Sequence, residues 1–441
     1  MKMPLQRPLW QATAIPSPAL LPLDGAHEAE VAVVGAGYTG LSTALALAET
    51  GVAVTVLEAD SPGAGASGQN GGQVIFGLRA HVADCVAAYG PTAGPRLHAL
   101  GAVAAERTFA LIARHGIACD ARQAGYLFAA DTQTGLADAR DRYDAWLGHG
   151  APVRWLDRDA VAEASGSQAY LGGYIHQASG SVQPLSYARG LARAAMAAGA
   201  RIHAPARVET IRPDGRDWVL ATRTGQLKAR RVLVATTGLC GDLWPGLAAT
   251  MMRVWSHQTA TAPLPDAARV LPGVACASDT RRVLRYWRTD RDNRLVVGGK
   301  GTLLGPRGPR SFAVPRRMQA RLYPHLAGEA PEHCWGGLVT LVPDRLPKLF
   351  RLADGVWAPM FCNGKGVAWC SASGPELAQL LRGVPADELV LPPPITLRPI
   401  PLYPLRSVYA AAGSLYFRAR DALDGVIPRR PAAALRTDDT W

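Results

Sequence analysis

The sequence predicts an α/β chain of two domains, and three observations point to it. Its 441 residues exceed what one compact domain usually holds. A strand, turn, helix and second strand follow one another at residues 30 to 58, the pattern of a parallel βαβ unit. A second alternation of helix and strand returns at 184 to 235, after a helical excursion that belongs to neither. With 48% hydrophobic and 19% charged residues, the composition excludes a disordered chain. No window approaches the roughly 18 unbroken apolar residues of a membrane span.

In chain order, the opening MKMPLQRPLWQATAIPSPALL is broken by prolines and lacks a compact apolar stretch, so no signal peptide is expected and a cytoplasmic location is. EVAVVG is a β-branched strand, YTGLSTALALAET carries helical periodicity, and VAVTVLE is a second buried strand. The next segment, SPGAGASGQNGGQ, has five glycines between residues 61 and 73 and reads as a loop whose backbone lies close to something. Helical patterns run from about 80 to 116 and 133 to 148. PLSYARGLARAAMAAGA is helical, RIHAPARVETIR and DWVLATR are strand-like, and RRVLVATTG is a buried strand ending at glycine. Strands rich in tryptophan and charge follow at 281 to 300, then GVWAPMFCNGKGVAWCSASGPELAQLLRG as strand, glycine turn and helix. A proline-rich stretch leads to one more helical pattern, RSVYAAAGSLYFRARDAL.

Lysine and arginine total 47 against 35 acids, a net charge of +12. The excess is mostly arginine spread along the chain, denser near 281 to 294, 306 to 321 and 428 to 436, without an aromatic-interleaved stripe; a solvated basic surface is expected, and no nucleic acid. Seven scattered cysteines, none in C-x-x-C, argue against a disulfide framework or a zinc site, so no metal is expected.

Gly35, Gly37 and Gly40 form G-x-G-x-x-G between strand and helix, and Glu58 closes the next strand 18 residues later. The first glycine makes the tight turn, the second admits a pyrophosphate to the helix N-terminus, and the third lets helix pack on strand. An acid at Glu58 accepts from ribose hydroxyls, which disfavours NADP. An NAD domain would continue with further βαβ units. Here a glycine loop and a helical excursion follow, and a flavin needs such additional protein around its far end. The strand ending Ala235-Thr236-Thr237-Gly238 can return to the same cofactor. The turn Asn363-Gly364-Lys365-Gly366-Val367 opens a helix suited to the negative charge a reduced flavin develops.

The run VAVVGAGYTGLSTALALAETGVAVTVLEADSPGAGASGQNGGQ resembles the N-terminus of the FAD-dependent D-amino-acid oxidase and glycine oxidase superfamily, most closely γ-glutamylputrescine oxidoreductases. ASGQNGG, GSVQPLSYARGLARAAMAAGARI, TDRDNRLVVGG, WGGLVTLVPDRLPKL, NGKGV and the tail PLYPLRSVYAAAGSLYFRARDAL resemble later blocks in the same order. The resemblance implies that Gly35, Gly37, Tyr38, Thr39, Gly40, Glu58 and Ala59 hold the ADP half of FAD, and that Val208 meets the adenine through its backbone. It further implies that Ser67, Asn70, Gly71, Gly72 and Gln73 line the pyrophosphate and isoalloxazine. Thr236 and Gly238 would return to the dinucleotide, and Gly364, Lys365, Gly366 and Val367 would face the flavin's pyrimidine edge. The family turn is often G-H-G, where this chain has Gly364-Lys365-Gly366. Sarcosine-oxidase-like members carry an oxygen-activating lysine where Val296 and Val297 stand, so the resemblance does not extend to fast reaction with oxygen.

In such enzymes the cofactor carries the hard step and the protein orients the amine, so no catalytic acid or base is assigned. His176 and His257 are possible proton acceptors, with a structural role the ordinary reading. On the strand at 285 to 288, Arg285 and Trp287 face one side and Tyr286 and Arg288 the other. One pair is expected to line the substrate cavity, an arginine clamping a carboxylate and an aromatic closing over the amine; Lys365 is a further substrate candidate. Cys334 lies out of register with the cysteine that binds flavin covalently in some relatives, so FAD is expected non-covalently. The tail pattern at 405 to 424 mixes Arg406, Arg418 and Arg420 with Tyr409, Leu415, Tyr416, Phe417 and Leu423; packing on the body is expected, contact with an anionic membrane being the alternative.

The expected architecture is a Rossmann-like FAD-binding domain of the glutathione-reductase type with a second, α+β substrate domain on a mixed or antiparallel sheet. The first is assembled from 25–80, 156–245 and 333–383, the second from 81–155 and 246–332, and 384–441 is a C-terminal extension. The expected function is FAD-dependent oxidation of the C–N bond of a small amine, γ-glutamylputrescine-like first and a D-amino acid or N-methyl amino acid next, with oxygen or another acceptor. A flavin-binding electron-transfer subunit without its own substrate and an NAD-dependent dehydrogenase are the other readings.

Overall fold

The computed structural model describes residues 8–265, 269–282, 285–300 and 305–424, without the side chains of 300, 410, 414, 418 and 422. The basic spot at 428 to 436, the last part of the 384–441 extension and the Arg418 side chain lie outside the described residues.

A nine-stranded sheet is built around a parallel core. Val356–Met360, Gly225–Val234, Gly25–Val34, Val54–Leu57 and Arg201–His203 lie side by side in that order, all parallel. Parallel sheets need cover on both faces, and successive residues of one strand show it. Val31 and Val33 pack with Leu41, Leu45 and Leu191 of the helices Tyr38–Glu49 and Pro184–Ala197, whereas Ala32 and Val34 pack with Val208, Leu220 and Met360. The hairpin Thr210–Asp214 and Asp217–Ala221 pairs antiparallel with Gly225–Val234 and supplies part of that second cover.

The second sheet has eight strands, in the order His333–Leu341, Met252–Ala260, Leu295–Lys300, Arg285–Thr289, Cys276–Asp279, Tyr126–Ala130, Gly172–His176 and Val153–Leu156. Every pairing is antiparallel except Cys276–Asp279 with Tyr126–Ala130. This is the mixed α/β architecture anticipated, but sheet membership departs from the expected boundaries at two places. Gly172–His176 and His333–Leu341, both assigned from sequence to the nucleotide-binding part, are strands of the second sheet. Their burial is compatible with either sheet, and only pairing partners decide: Gly172–His176 lies between Tyr126–Ala130 and Val153–Leu156, and His333–Leu341 lies at the edge beside Met252–Ala260.

The helical excursion is one element, Val82–Arg114, kinked at Gly90 (φ +82°) ahead of Pro91 and Pro95. The helical pattern after the turn at Asn363 is split into Gly366–Ala372 and Gly374–Arg382. Residues 8–13, read from sequence only as a proline-broken start, form a short helix whose Leu9 and Trp10 are fully buried. Among the described residues no helix is long and apolar enough to cross a membrane, and no cluster could hold a metal ion.

Candidate active site

The helix Tyr38–Glu49 starts where Gly25–Val34 ends, and its N-cap, Gly37, offers no side-chain cap to the first amides. Gly35 takes φ +104°, which glycine adopts without strain. A Cβ on Gly40 would lie 2.1 Å from the Gly35 carbonyl oxygen, so the helix sits on the turn at a distance that glycine alone permits. Glu58 is fixed at its strand end by two amides: Ala36 N–H donates to Oε2 (2.7 Å) and Asp60 N–H to Oε1 (3.0 Å). A carboxylate has about four acceptor sites, so two remain for a diol. The Ala206 N–H donates to the Glu58 carbonyl (2.6 Å), which brings the segment carrying buried Val208 beside the acid.

The glycine loop is pinned from within and from both sheets. Asn70 Nδ2 donates to the Ser67 carbonyl (2.8 Å), and its Oδ1 accepts from Gly72 N–H (2.7 Å). Ser67 Oγ accepts from Tyr38 N–H (3.1 Å) at the helix start, and Gln73 Nε2 donates to the Ala277 carbonyl (2.9 Å) in the second sheet. Gly71 lies under the ring of Tyr286; a Cβ there would stand 2.5 Å from Cε2. The Tyr286 hydroxyl hydrogen-bonds Ser256 Oγ at 2.8 Å.

A cavity of about 690 Å³ opens between these parts, within the roughly 300–1,000 Å³ of small-molecule sites. Of the residues singled out in the sequence, Gly37, Tyr38, Thr39, Ser67, Asn70, Gly71, Gln73, Tyr286, Gly364, Lys365, Gly366 and Val367 line it. Gly35, Gly40, Glu58, Ala59, Gly72, Val208, Thr236 and Gly238 do not. At the strand end it is Ala235 and Thr237 that reach the wall, while Gly238 packs on Thr340 and Thr236 Oγ1 is buried without a hydrogen-bond partner.

Three of the five substrate candidates are corrected. The alternation along Arg285–Thr289 holds, but Arg285, Trp287 and Arg288 are engaged elsewhere. Arg285 Nη2 pairs with Asp131 (2.8 Å) and Asp279 (2.5 Å), and Trp287 donates to the Tyr323 hydroxyl (3.1 Å). Arg288 shares the face of Tyr286 but donates to the carbonyls of Gly72 (3.2 Å) and Val182 from a buried position beneath the loop. Neither histidine reaches the cavity: His176 Nδ1 bonds Ser179 Oγ (2.9 Å) with its ring stacked on Phe76, and His257 Nδ1 donates to the Ser311 carbonyl (2.8 Å). Burial pushes the His176 imidazole down to about 3, so it is neutral at ordinary pH. Cys334 is buried away from the cavity, its thiol pushed up to about 11 by burial.

Besides Lys365, the cavity is lined by cations that sequence reasoning missed, Arg79, Arg142 and Arg345 among them. Arg79 follows the loop, Arg142 comes from the helix Gln133–Gly148, and Arg345 precedes Lys348–Ala353. Arg142 Nε pairs with Asp138 (3.0 Å), but Arg79 has no ion pair among the described residues. Burial first, then the charges of Arg345 and Arg142, lower the Arg79 guanidinium to about 10. Lys365 Nζ donates to the Phe76 carbonyl (2.9 Å); burial, with Arg142 and Arg79, lowers it to about 7. Aromatic walls come from Phe128, Trp146 and Tyr174, and Asp421 and Asp424 stand on the lining contributed by the tail helix. No motif marks these positions; Asp138 and Arg142, four apart on a helix, were the one local signal.

A parallel sheet with a glycine turn at a helix start, joined by a pinned loop to a cavity under a second sheet, defines a dinucleotide-dependent oxidoreductase. Comparison with known proteins gives the family: residues 30–380 match the FAD dependent oxidoreductase (DAO) family, and the chain belongs to it. It is 32% identical over 418 residues to the γ-glutamylputrescine oxidoreductase of Escherichia coli K12, covering 91% of this chain and 96% of that one. A probable oxidoreductase of Rhizobium meliloti is 32% identical over 378 residues, 85% of this chain and 88% of its own. The glycine oxidase structure from Geobacillus kaustophilus shares the fold with a TM-score of 0.67 at 23% identity, over 81% of this chain and 95% of that one. The residues present fit FAD: Gly37 opens the helix without a side-chain cap of its own, Glu58 keeps acceptor sites free at its strand end, and Gly37, Ser67, Asn70 and Gly71 line the cavity.

Proposed function

We propose that the chain oxidises the C–N bond of a small amine that also carries a carboxylate, with γ-glutamylputrescine-like compounds first. The observation that carries the reading is the cavity itself, lined by Lys365 and by the Arg79 guanidinium, which has no ion pair among the described residues. Such a cationic patch suits a ligand with an anionic end. FAD, when bound, supplies the hydride acceptor.

Gly35, Gly37, Tyr38, Thr39, Gly40, Glu58 and Ala59 would hold its ADP half with Val208, Thr236 and Gly238. Ser67, Asn70, Gly71, Gly72 and Gln73 would follow it inward, and Gly364 to Val367 would meet the pyrimidine edge, all without a covalent bond. Arg79 would fix the substrate carboxylate. Tyr286 would close over the amine, its ring held by Ser256 and by the glycine floor at Gly71. Losing a hydride from carbon and a proton from nitrogen converts the amine to an imine, which water splits into a carbonyl compound and an amine. Lys365, lowered to about 7 by burial, can hold or release a proton at Nζ near neutral pH.

The test is the visible spectrum of the purified protein, taken anaerobically before and after adding γ-glutamylputrescine and, separately, a D-amino acid and sarcosine. Bleaching of the oxidised flavin band by γ-glutamylputrescine alone is the expected result. Bleaching by sarcosine or the D-amino acid alone would move the substrate class to N-methyl or D-amino acids. A yellow protein that no amine bleaches would favour an electron-transfer subunit and end the proposal.

A further inference from the structure

The helix Arg406–Leu423 is docked the wrong way round for a surface helix in water. The side that faces the body is mixed. Phe417, Asp421 and Asp424 line the cavity, Arg281 donates to the Asp421 carbonyl, and Arg282 pairs with both Asp421 (3.3 Å) and Asp424. Its apolar side faces out: Val408, Tyr409, Leu415, Tyr416 and Leu423 are 61, 41, 71, 56 and 51% exposed and recur at helical spacing along one stripe. Leu402 and Leu405, just before it, extend the stripe at 67 and 48% exposure. Seven of the twelve exposed large hydrophobic side chains among the described residues therefore fall within 402–423. Scattered exposed apolar residues are ordinary; a contiguous stripe marks a covered surface.

Charge selects what covers it. Between 398 and 424 there are only two acids, Asp421 and Asp424, and both are turned inward onto Arg282. Among the described residues no acid pairs with the arginines of the segment: Arg398 is exposed, Arg406 lies over the Tyr403 ring and donates to its carbonyl (3.3 Å), and Arg420 stands in the last turn of the helix. A second copy packed stripe to stripe would set these arginines against their own images, whereas an anionic lipid surface complements them, as does the chain's net charge of +12. Tyr409 and Tyr416, apolar rings with a polar tip, suit the headgroup level. The helix cannot span a bilayer, so it would lie flat.

We propose that Arg406–Leu423 is a membrane-docking helix, laying its apolar stripe into the headgroup boundary of an anionic membrane and holding the cavity mouth at the lipid surface. This does not depend on which amine the cavity takes.

Flotation of the full chain with vesicles tests it. The wild type should rise with phosphatidylcholine vesicles containing phosphatidylglycerol, stay down with phosphatidylcholine alone, and be released by high salt. Val408→Glu with Leu415→Glu should lower the floated fraction about tenfold while leaving the flavin absorbance and the gel-filtration elution volume unchanged. Leu415→Ser, milder, should lower it less, which separates lost docking from lost folding. A wild type that floats with neither vesicle overturns the proposal. A dimer that the Leu415→Glu change splits, without flotation, also overturns it and assigns the stripe to a second copy. Equal flotation with both vesicles overturns the requirement for anionic lipid.

Discussion

Arg288 and Arg79 show how a charged side chain can be read by position and misread by partner. Alternation along Arg285–Thr289 placed Arg288 on the face of Tyr286, and there it is, but its guanidinium holds the Gly72 and Val182 carbonyls together beneath the loop. Period two tells which face a residue takes, and nothing in it tells whether backbone acceptors wait there. Arg79 has no pattern around it, yet it lines the cavity with no ion pair among the described residues. Arg288→Met should leave the buried Val182 carbonyl without a donor, while the Gly72 carbonyl keeps the Val182 N–H (2.8 Å); the loss of about 1–3 kcal/mol is read as a lower urea midpoint together with flavin loss, and an unchanged midpoint would deny the loop this support.

Lys365 gives a pH test at the same scale. Its folded value of about 7 lies below its ordinary 10.5. Between those values the unfolded chain binds the extra proton, so stability rises as pH rises through that window and is lowest for this residue below it. In flavin-stripped protein the urea midpoint should climb between pH 7 and 10 more steeply for the wild type than for Lys365→Met. Parallel slopes would place Lys365 in solvent.

Among the elements, the βαβ unit was legible because each of its residues has a local reason: glycines at the turn, β-branched strands and a helical period between them. The first helix, Leu9–Thr13, was not. Five residues carry no usable period, and its importance comes from distant partners: Trp10 Nε1 donates to the Asn70 carbonyl (2.8 Å), Gln183 donates to the Trp10 carbonyl (2.9 Å), and the ring meets Trp335 edge-on. The segment is thus a buttress for the glycine loop. Trp10→Ala should cost about 3–5 kcal/mol and weaken flavin retention, measurable as flavin lost on gel filtration; full retention would show that the loop stands without it. The tail helix was legible as a helix and as amphipathic, but not in its orientation, because which stripe faces inward depends on Arg281 and Arg282, more than a hundred residues away in the chain.

For the whole molecule, class and family were legible and sheet membership was not. A strand's sequence records that one or both of its faces are covered; its neighbours are set by long-range register. Hence Gly172–His176 and His333–Leu341 were assigned to the wrong sheet, although their positions as strands are plain. Two bulk properties follow from the cavity and the cysteines. Acid precipitation should leave the flavin in the supernatant, since Cys334 is buried away from the cavity with its thiol pushed up to about 11; a yellow pellet would contradict this. With Val296 and Val297 buried where some relatives keep a lysine, reduced enzyme should be reoxidised faster by an artificial dye than by oxygen, which stopped-flow absorbance would decide.

The path of the chain between its sheets has one further consequence. It enters the first sheet over 25–57, 201–234 and 348–395, and the second over 126–176 and 252–341. No single cut therefore frees either sheet with all its strands. Neither half can be expressed alone, exchanged for a relative's, or melted while the other persists, and heating should give one cooperative transition where beads on a string would give two. A new specificity can enter such a protein only by substitution within the shared wall, never by swapping a module.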